Sequence, residues 1–226
     1  MNSNVKDVMT RSVVAVRQTA GYKDIVTVMR RRRVSAFPVL DSADHVVGVV
    51  SEADLLIKEA VPSSGSTTGA FPPREAARRR ERAKAAGVNA AELMTKPAVT
   101  VGPDTSVAEA ARVMYDRRVK RLPVVDETGR LVGIVSRVDL LSVFDRPDEQ
   151  IRDEVIKQVV GVDFALDTDT FDITVKSGIV TITGPVERHA VALQLLCAVR
   201  YVDGVVDVRD RLSYPPEGVP KIAGII

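Results

Sequence analysis

The chain has 226 residues, of which 45% are hydrophobic and 27% charged, and its formal net charge is +2. This composition is typical of a globular protein of one or two domains and excludes a chain that is disordered throughout. The positive charge is local, because residues 74–84 contain five arginines and one lysine against two glutamates. The rest of the chain is therefore slightly acidic, and no large basic surface is expected outside this segment.

Cysteine usage and the N-terminus predict the compartment. Cys197 is the only cysteine, and the first residues lack the apolar core of a signal peptide. No apolar run approaches the roughly 18 residues that cross a bilayer. We therefore predict a cytoplasmic protein. We also expect Cys197 to be buried on its apolar helix, because a redox sensor would need a basic and open setting.

An internal repeat organises the chain. Residues 117–141 match residues 32–56 at a constant offset of 85 residues, without a gap. In each copy, basic residues precede an apolar run, a polar turn, a second apolar run and the sequence Ser-x-x-Asp-Leu-Leu. A constant offset over this length identifies a duplication. We therefore interpret the remaining segments as supporting, joining or extending this pair.

The first copy shows helical and strand patterns in alternation. Starting at Tyr22, apolar residues recur at i, i+3, i+4 and i+7, which predicts an amphipathic helix. Continuous apolar runs on either side of a polar turn predict a hairpin of buried strands. The predicted elements are a strand at 13–16, a helix at about 20–32, strands at 37–40 and 46–50, and a helix at 52–59 capped by Ser51.

The second copy repeats this order with clearer signals. Ser106 and Glu109 have the spacing of a capping box at the start of a helix. Strands are predicted at 124–125 and 131–135, and Gly129 supplies the positive φ that the turn between them needs. Each unit is thus strand-helix-strand-strand-helix. Because one unit of about 55 residues buries little surface, we expect two copies packed sheet against sheet.

The segment between the copies divides into two parts. Residues 61–73 are rich in Ser, Gly, Pro and Thr and are predicted to form a loop. Residues 74–86 are rich in Ala, Arg and Glu and predict a polar, exposed helix that ends at Gly87. Its arginines could contact nucleic acid phosphates, but interleaved aromatic residues are lacking. We favour a solvated helix face and predict no nucleic-acid partner.

The pattern changes after Arg146-Pro147, where the repeat ends. The residues that follow predict a small α+β domain of about 65 residues. Its expected core residues are Ile151, Val155 and Val159 on one helix, Phe171, Ile173, Val175, Val180 and Ile182 on a hairpin turning at Ser177-Gly178, Val191, Leu195 and Val199 on a second helix, and Val206 and Val208 on a last strand.

The repeated Ser-x-x-Asp has two interpretations. Ser51 with Asp54, and Ser136 with Asp139, could simply cap helices, with the hydroxyl at the N-cap and the carboxylate three residues on. Alternatively, a helix N-terminus offers free N–H groups to a phosphate, and a carboxylate three residues further in can accept both hydroxyls of a ribose. The basic cluster before each hairpin favours the second interpretation. Arginine at a strand entrance can bind phosphate through paired N–H groups.

Several motifs together resemble a known family. Val-Lys-Asp-Val-Met-Thr at 5–10 and Ala-Glu-Leu-Met-Thr at 91–95 open the copies, Pro-Val-x-Asp occurs at 38–41 and 123–126, and Gly-x-Val-Ser-x-x-Asp-Leu-Leu closes each copy. These motifs resemble paired CBS domains, a Bateman module, over roughly residues 5–60 and 90–145. The resemblance implies an α+β fold of two pseudo-twofold related units. It also implies two clefts for AMP, ADP, ATP or S-adenosylmethionine, and a homodimer shaped as a flat disc.

The resemblance assigns roles to matching positions. Asp54 and Asp139 would bind ribose, Ser51 and Ser136 would lie by the phosphate, and adenine would rest near residues 12–14 and 97–99. One repeat's carboxylate would work with the other repeat's cations. The predicted site residues are Thr10, Val14, Arg32, Arg33, Ser51, Asp54, Thr95, Val99, Arg118, Lys120, Arg121, Ser136 and Asp139. Because Ser35-Ala36 stands where the second copy has Lys120-Arg121, we predict tighter binding at Asp54.

The C-terminal segment resembles a BON domain over about residues 148–214. The similarity rests on Val-Lys-Ser-Gly-Ile-Val-Thr-Ile-Thr-Gly-Pro-Val at 175–186 and Val-Asp-Gly-Val-Val-Asp-Val at 202–208. That family is taken to bind phospholipid or protein surfaces and is often periplasmic, whereas this chain shows no export signal. The alternative is a small packing domain without a partner.

The sequence offers no arrangement for catalysis. His45 and His189 are the only histidines and lie in different predicted domains, so neither metal nor acid–base chemistry is expected. We predict a non-catalytic regulatory protein that requires no cofactor and responds to an adenosine ligand. The alternative is a structural or membrane-surface adaptor with vestigial clefts. The predicted domains are residues 1–60, a linker at 61–89, residues 90–146, residues 147–214, and a tail at 215–226.

Overall fold

The computed structural model describes residues 3–60 and 82–215. They belong to two compact units, one formed by Asn4–Leu140 and the other by the chain from Leu141 onward together with Ser3. The predicted loop at 61–73, the first part of the predicted basic helix at 74–81, and all of the predicted tail except Pro215 lie outside the described residues. Residues 82–86 are helical, in agreement with the second part of that prediction.

The first repeat follows the predicted order of elements. These are α1 (Val5–Val8), β1 (Val16–Arg17), α2 (Tyr22–Arg32), β2 (Ala36–Leu40), β3 (Val46–Ser51) and α3 (Glu52–Ala60). The sheet order is β1–β2–β3, with β1 parallel and β3 antiparallel to β2. Apolar side chains of α2, both long strands and α3 form the core, including Ile25, Phe37 and Leu55.

The first strand is shorter than predicted. The apolar run 13–16 suggested a strand throughout, but only Val16 and Arg17 lie opposite partners, which are Val39 and Leu40 of β2. The N–H of Val13 instead donates to the carbonyl of Arg11 at 3.1 Å in a local turn. β-branched residues favour extended backbone, but a strand needs a partner of matching length.

The second repeat has the same parts except for the predicted first strand, which is reduced to an isolated parallel bridge between Val101 and Val124. After α4 (residues 82–86), its elements are α5 (Ala90–Leu93), α6 (Val107–Asp116), β4 (Arg121–Val125), β5 (Leu131–Ser136) and α7 (Arg137–Leu141). The Ser106 hydroxyl accepts the Glu109 N–H at 3.2 Å, which confirms the predicted N-cap. Gly129 has φ +83°, as its turn was predicted to need, and Asp44 takes φ +68° at the equivalent position.

The two repeats exchange their opening segments. Val5 N–H donates to the Thr105 carbonyl at 2.8 Å, and Ala90 N–H donates to the Ala20 carbonyl at 2.9 Å. Both bonds link one repeat's first helix to the other repeat, and they are equivalent under the offset of 85 residues. His45 forms an isolated antiparallel bridge with Arg130, its own equivalent. The pseudo-twofold axis that relates the repeats therefore passes between these two residues.

Close packing of methionine on glycine accompanies this exchange. A Cβ added to Gly48 would lie 2.8 Å from Met94 Cγ, and one added to Gly133 would lie 3.1 Å from Met9 Cγ. Met94 and Met9 follow the opening helices, so each glycine admits the other repeat's methionine. Side chains at both glycines would push the opening segments away.

The second unit is an α+β domain. After a 3₁₀ turn (Ser142–Asp145), it contains α8 (Asp148–Glu154), a π-helical segment (Val155–Asp163), a 3₁₀ turn (Thr168–Thr170), β6 (Asp172–Lys176), β7 (Ile179–Pro185), α9 (His189–Arg200) and β8 (Asp207–Ser213). The sheet order is β6–β7–β8, with β6 antiparallel and β8 parallel to β7. Ser177 and Gly178 have φ +52° and +72°, as a tight hairpin turn requires.

Three predictions for this unit were wrong in detail. Ala192, rather than Val191, is buried with Leu195 and Val199 on α9. Val206 precedes β8 and is 64% exposed, because the strand begins only at Asp207. Cys197 is exposed rather than buried, since it lies on the outer face of α9.

In the described parts of the chain, none of the helices has the length and apolar content needed to cross a bilayer.

Candidate functional site at Asp54

In both Ser-x-x-Asp sequences, the serine and the aspartate form hydrogen bonds at the start of a helix. Asp54 Oδ2 accepts the Ser51 N–H at 2.9 Å and the Ser51 hydroxyl at 2.6 Å. In the second repeat, Asp139 Oδ2 accepts the Ser136 N–H and hydroxyl, each at 2.7 Å, and Asp139 N–H returns a bond of 3.4 Å to the hydroxyl. A serine hydroxyl that accepts a helix N–H, as the capping interpretation predicts, is therefore present at Ser136, whereas the Ser51 hydroxyl is described as a donor to Asp54. These bonds use only one oxygen of each carboxylate, so they do not exclude a second task for the other oxygen.

The second oxygen of Asp54 lies in a polar cluster from three parts of the chain. Lys84 Nζ, from α4, donates to Asp54 Oδ1. It also donates to Thr95 Oγ1 at 2.8 Å, and the Thr95 hydroxyl lies 3.2 Å from Asp54 Oδ1. The side chains of Lys84 and Asp54 are only 21% and 12% exposed. One oxygen of Asp54 is thus fixed by Ser51 at the end of β3, and the other is directed at groups from outside the first repeat's hairpin.

Backbone pairing explains why Thr95 reaches this cluster. Thr95 and Val49 exchange two backbone hydrogen bonds, of 2.8 and 3.1 Å. Val49 lies on β3, two residues before Ser51, so the second repeat's opening segment is brought to the first repeat's carboxylate. Thr10 pairs in the same way with Ile134, at 2.9 and 3.0 Å, two residues before Ser136. Thr10 and Thr95 therefore lie beside the opposite repeat's Ser-x-x-Asp turn.

The predicted cations occupy the ends of α2 and α6. Arg32 ends α2, while Arg33 and Arg118 adopt left-handed backbone at φ +53° and +54°. Lys120 is exposed, and Arg121 begins β4 directly opposite Ser136 of its own repeat. The described ion pair of Asp54 is with Lys84. The predicted pairing of Asp54 with Arg118, Lys120 and Arg121, and of Asp139 with Arg32 and Arg33, remains a prediction.

A cavity of about 630 Å³ lies over the first repeat's two long helices. Arg33, Ser35 and Glu52 of the first repeat line it together with Arg121 of the second. Arg121 therefore faces the groove between the repeats, as its position at the strand entrance suggested. Val14 and Val99, the predicted adenine contacts, are both half-buried, which suits apolar residues that flank an opening.

Lys84 was missed by sequence reasoning. Its segment was interpreted as a solvated helix face, but Lys84 and Ala85 are half-buried. The signal that could have indicated this contact is the position of Lys84, a cation at the end of the basic segment, shortly before the second repeat begins. Lys58 Nζ donates to the Gly87 carbonyl at 2.8 Å. This bond fixes the end of α4 against the first repeat and explains why the neighbouring lysine reaches Asp54.

The two histidines belong to different units. His45 Nδ1 is 3.3 Å from Asp41 Oδ2 in the first hairpin turn. His189 stacks on Tyr214, with ring centroids 4.7 Å apart, in the C-terminal unit. Among residues 3–60 and 82–215, no cluster of three or more His, Cys, Asp or Glu side chains could hold a metal ion.

The family-model comparison matches this architecture. The model described as the CBS domain matches residues 5–60 and 90–146, which together make up half of the chain. The chain belongs to the CBS-domain family. The two matched segments coincide with the two repeats, so the duplicated units are a tandem CBS pair.

Relatives of the CBS pair occur in archaea and plants. An uncharacterised protein of Methanocaldococcus jannaschii is 30% identical over 150 residues, which cover 61% of this chain and 88% of the relative. A protein of Methanopyrus kandleri is 32% identical over 140 residues, covering 62% of each chain. The chloroplastic CBS domain-containing protein CBSX1 of Arabidopsis thaliana is 32% identical over 129 residues, covering 54% and 55%. The match thus spans little more than half the length of two of these relatives.

A solved structure has the same CBS pair. The crystal structure of CBSX2 in complex with AMP superposes with a TM-score of 0.53 and 28% sequence identity. The match covers 62% of this chain and 94% of that one, and CBSX2 comes from Arabidopsis thaliana. The similarity extends over a CBS pair and leaves over a third of this chain without a counterpart.

Proposed function

We propose that the CBS pair is a non-catalytic regulatory module that binds an adenine nucleotide, with AMP as the first candidate. The observation that carries the proposal is the junction of Asp54 with Thr95, which places an oriented carboxylate and a hydroxyl from different repeats 3.2 Å apart. The AMP complex of CBSX2, a protein of similar fold, supports the choice of ligand. ADP, ATP and S-adenosylmethionine are the other ligands to compare.

The chemistry of Asp54 suits a ribose. Its Oδ2 is fixed by two donors from Ser51, so the direction of Oδ1 is set before any ligand arrives. A ribose offers two neighbouring hydroxyl donors, and a carboxylate with a fixed orientation accepts them without further loss of side-chain freedom. Hydrogen bonds to a charged acceptor are also stronger than neutral ones.

Cations near the groove suit the phosphate. Arg118, Lys120 and Arg121 are proposed to serve the ligand at Asp54, and Arg32 and Arg33 the ligand at Asp139. Arg121 lines a cavity together with Ser35 and Glu52 of the first repeat, and Glu52 directly follows Ser51, although Asp54 itself is not among the lining residues. The first repeat has Ser35 and Ala36 where the second has Lys120 and Arg121, so the Asp54 cleft is proposed to bind AMP more tightly.

Replacing Asp54 tests the site. Asp54→Ala is expected to weaken AMP binding by about 1.5–3 kcal/mol, the range for loss of a charge-assisted hydrogen bond. Isothermal titration calorimetry measures the affinity. Asp54→Asn is the companion variant, because its amide oxygen can still accept the Ser51 N–H and preserve the cap.

Two controls decide how the result is interpreted. Asp104→Ala removes an exposed aspartate, 75% accessible and paired with Lys6, and should leave affinity unchanged. Thermal unfolding shows whether each variant is folded. If Asp54→Ala and Asp54→Asn both bind AMP as tightly as wild type, the Ser-x-x-Asp sequence has a structural role at the helix start and does not bind the nucleotide.

The C-terminal unit is proposed to bind the partner that the CBS pair regulates. Its sequence resembles a BON domain, and its α+β architecture suits a small interaction module. Nucleotide binding would alter how this unit meets a protein or phospholipid partner, provided that the ligand prefers one of two states. A ligand that binds the native state must raise the melting temperature. If millimolar AMP, ATP and S-adenosylmethionine leave the melting temperature unchanged, the protein would instead be a structural adaptor.

A further inference from the structure

Lys84 occupies the position at Asp54 that a ligand would need. Its ammonium group donates to Asp54 Oδ1 and, at 2.8 Å, to Thr95 Oγ1. A ribose hydroxyl bound at Asp54 would also have to donate to Oδ1, because Oδ2 already accepts two bonds from Ser51. The ammonium and the sugar therefore compete for the same acceptor.

The surroundings of Asp54 favour a cation next to its carboxylate. The Asp54 side chain is only 12% exposed, and a carboxylate so poorly hydrated is costly without a counter-ion. Lys84 supplies that counter-ion from within the chain. Its helix is fixed nearby, because Lys58 Nζ donates to the Gly87 carbonyl at 2.8 Å. A tethered group of this kind acts at a high effective concentration.

We propose that Lys84 is a built-in competitor for the Asp54 cleft, so that an adenine nucleotide binds there only by displacing Lys84 and freeing α4. The inference rests on the proposed nucleotide function and adds its regulation. The affinity of the cleft is lowered by the fraction of molecules in which Lys84 is bound. Nucleotide binding would thereby release α4, residues 82–86, from Asp54.

Removing the ammonium tests the competition. Lys84→Met keeps an unbranched side chain, one atom shorter, that cannot donate to Asp54. AMP should bind this variant roughly 10-fold more tightly if Lys84 is bound to Asp54 in about nine molecules in ten. Arg82→Met is the matched control, because Arg82 is an exposed cation on the same helix. It should leave the AMP affinity within about twofold of wild type.

A chemical readout follows Lys84 directly. Acylation by an N-hydroxysuccinimide ester, followed by mass spectrometry, should modify Lys84 slowly in the free protein and faster with saturating AMP. Lys157 is the internal control, since it forms an exposed ion pair with Asp153 at 2.9 Å in the other unit. Its rate should not respond to AMP. Asp54→Asn should raise the Lys84 rate without any nucleotide.

The outcomes separate the two proposals. If AMP binds wild type and Lys84→Met equally, or binds the variant more weakly, Lys84 is not a competitor, while the nucleotide function stands. A Lys84 acylation rate that AMP does not change has the same meaning. If neither protein binds AMP, ATP or S-adenosylmethionine, the nucleotide function fails and the competition fails with it.

Discussion

At the scale of single residues, Arg33 and Arg118 adopt the left-handed backbone conformation that favours glycine. Their φ angles are +53° and +54°, and the two positions are equivalent in the repeats. The left-handed region costs a residue with a Cβ roughly 1–2 kcal/mol, which glycine does not pay. Since glycine would fit this conformation without strain, arginine at both positions is consistent with the proposed role of its side chain in binding phosphate.

Arg118→Gly should separate stability from binding. We expect the free energy of unfolding to stay level or rise by up to about 1 kcal/mol, because glycine relieves the strain but loses more chain entropy. AMP affinity should fall, since a cation proposed for the phosphate is lost. Urea unfolding and calorimetry measure the two effects.

Arg117→Gly is the matched control for Arg118→Gly. Arg117 is also a cation, but its φ is −85° in the right-handed region. Glycine there should destabilise by about 0.5–1 kcal/mol, because no strain is relieved. A loss of stability in Arg118→Gly as large as in Arg117→Gly would show that the left-handed position carries no strain.

At the scale of elements, an aspartate organises each hairpin turn. Asp126 Oδ1 accepts the Thr128 hydroxyl at 2.7 Å and the N–H groups of Thr128 and Arg130 at 2.9 and 3.0 Å. Asp41 Oδ1 accepts the N–H groups of Ala43 and His45 at 2.8 and 2.9 Å. These bonds explain the aspartate in both Pro-Val-x-Asp motifs.

The turn aspartates should make the CBS pair sensitive to acid. The Thr128 hydroxyl lowers the pKa of Asp126, and the His45 N–H lowers the pKa of Asp41, below the ordinary 3.8. A carboxyl whose pKa is lowered by folding stabilises the native state above its unfolded pKa, and this contribution is lost as pH falls through the folded pKa. The loss therefore begins below about pH 4.

A double variant isolates this effect. Asp41→Asn with Asp126→Asn should melt below wild type at pH 7, and the two melting temperatures should converge as the pH approaches 3. Thermal unfolding monitored by circular dichroism across this range measures the difference. A gap between the two proteins that stays constant with pH would assign the acid sensitivity to other carboxylates.

The elements show what could be predicted from sequence. The helix at Tyr22 and the hairpin strands follow from local apolar periodicity, and the Ser106 cap follows from a short motif. The start of β1 at Val16 and the exposure of Val206 depend on where a partner strand begins, which local patterns do not reveal. The contact of Lys84 with Asp54 links residues 30 positions apart and depends on the path of the chain between the repeats.

At the scale of the whole molecule, large apolar side chains remain exposed on the helices of the CBS pair. Leu56 on α3, Tyr115 on α6 and Val138 on α7 are 64%, 83% and 76% exposed. Contiguous apolar patches mark association surfaces, whereas single exposed apolar side chains are normal. We propose that they are covered by a second copy of this chain, in the homodimer that the CBS resemblance implies.

Leu56→Glu should weaken that homodimer. Burying a leucine contributes about 1.5–3 kcal/mol, and a charge in its place adds a desolvation cost, so the dimer dissociation constant should rise at least roughly 10-fold. Size-exclusion chromatography with light scattering across a dilution series measures the constant. Val162→Glu, which changes an apolar residue 67% exposed in the other unit, should have no effect. A monomeric wild type would refute the proposal.

Because the opening helices are exchanged, each repeat completes the core of the other. Ala90, Leu93 and Met94 of the second repeat are buried in the core of the first. The first repeat alone would therefore expose the apolar groove that these residues fill. A change in the core of one repeat must therefore suit a helix that belongs to the other repeat.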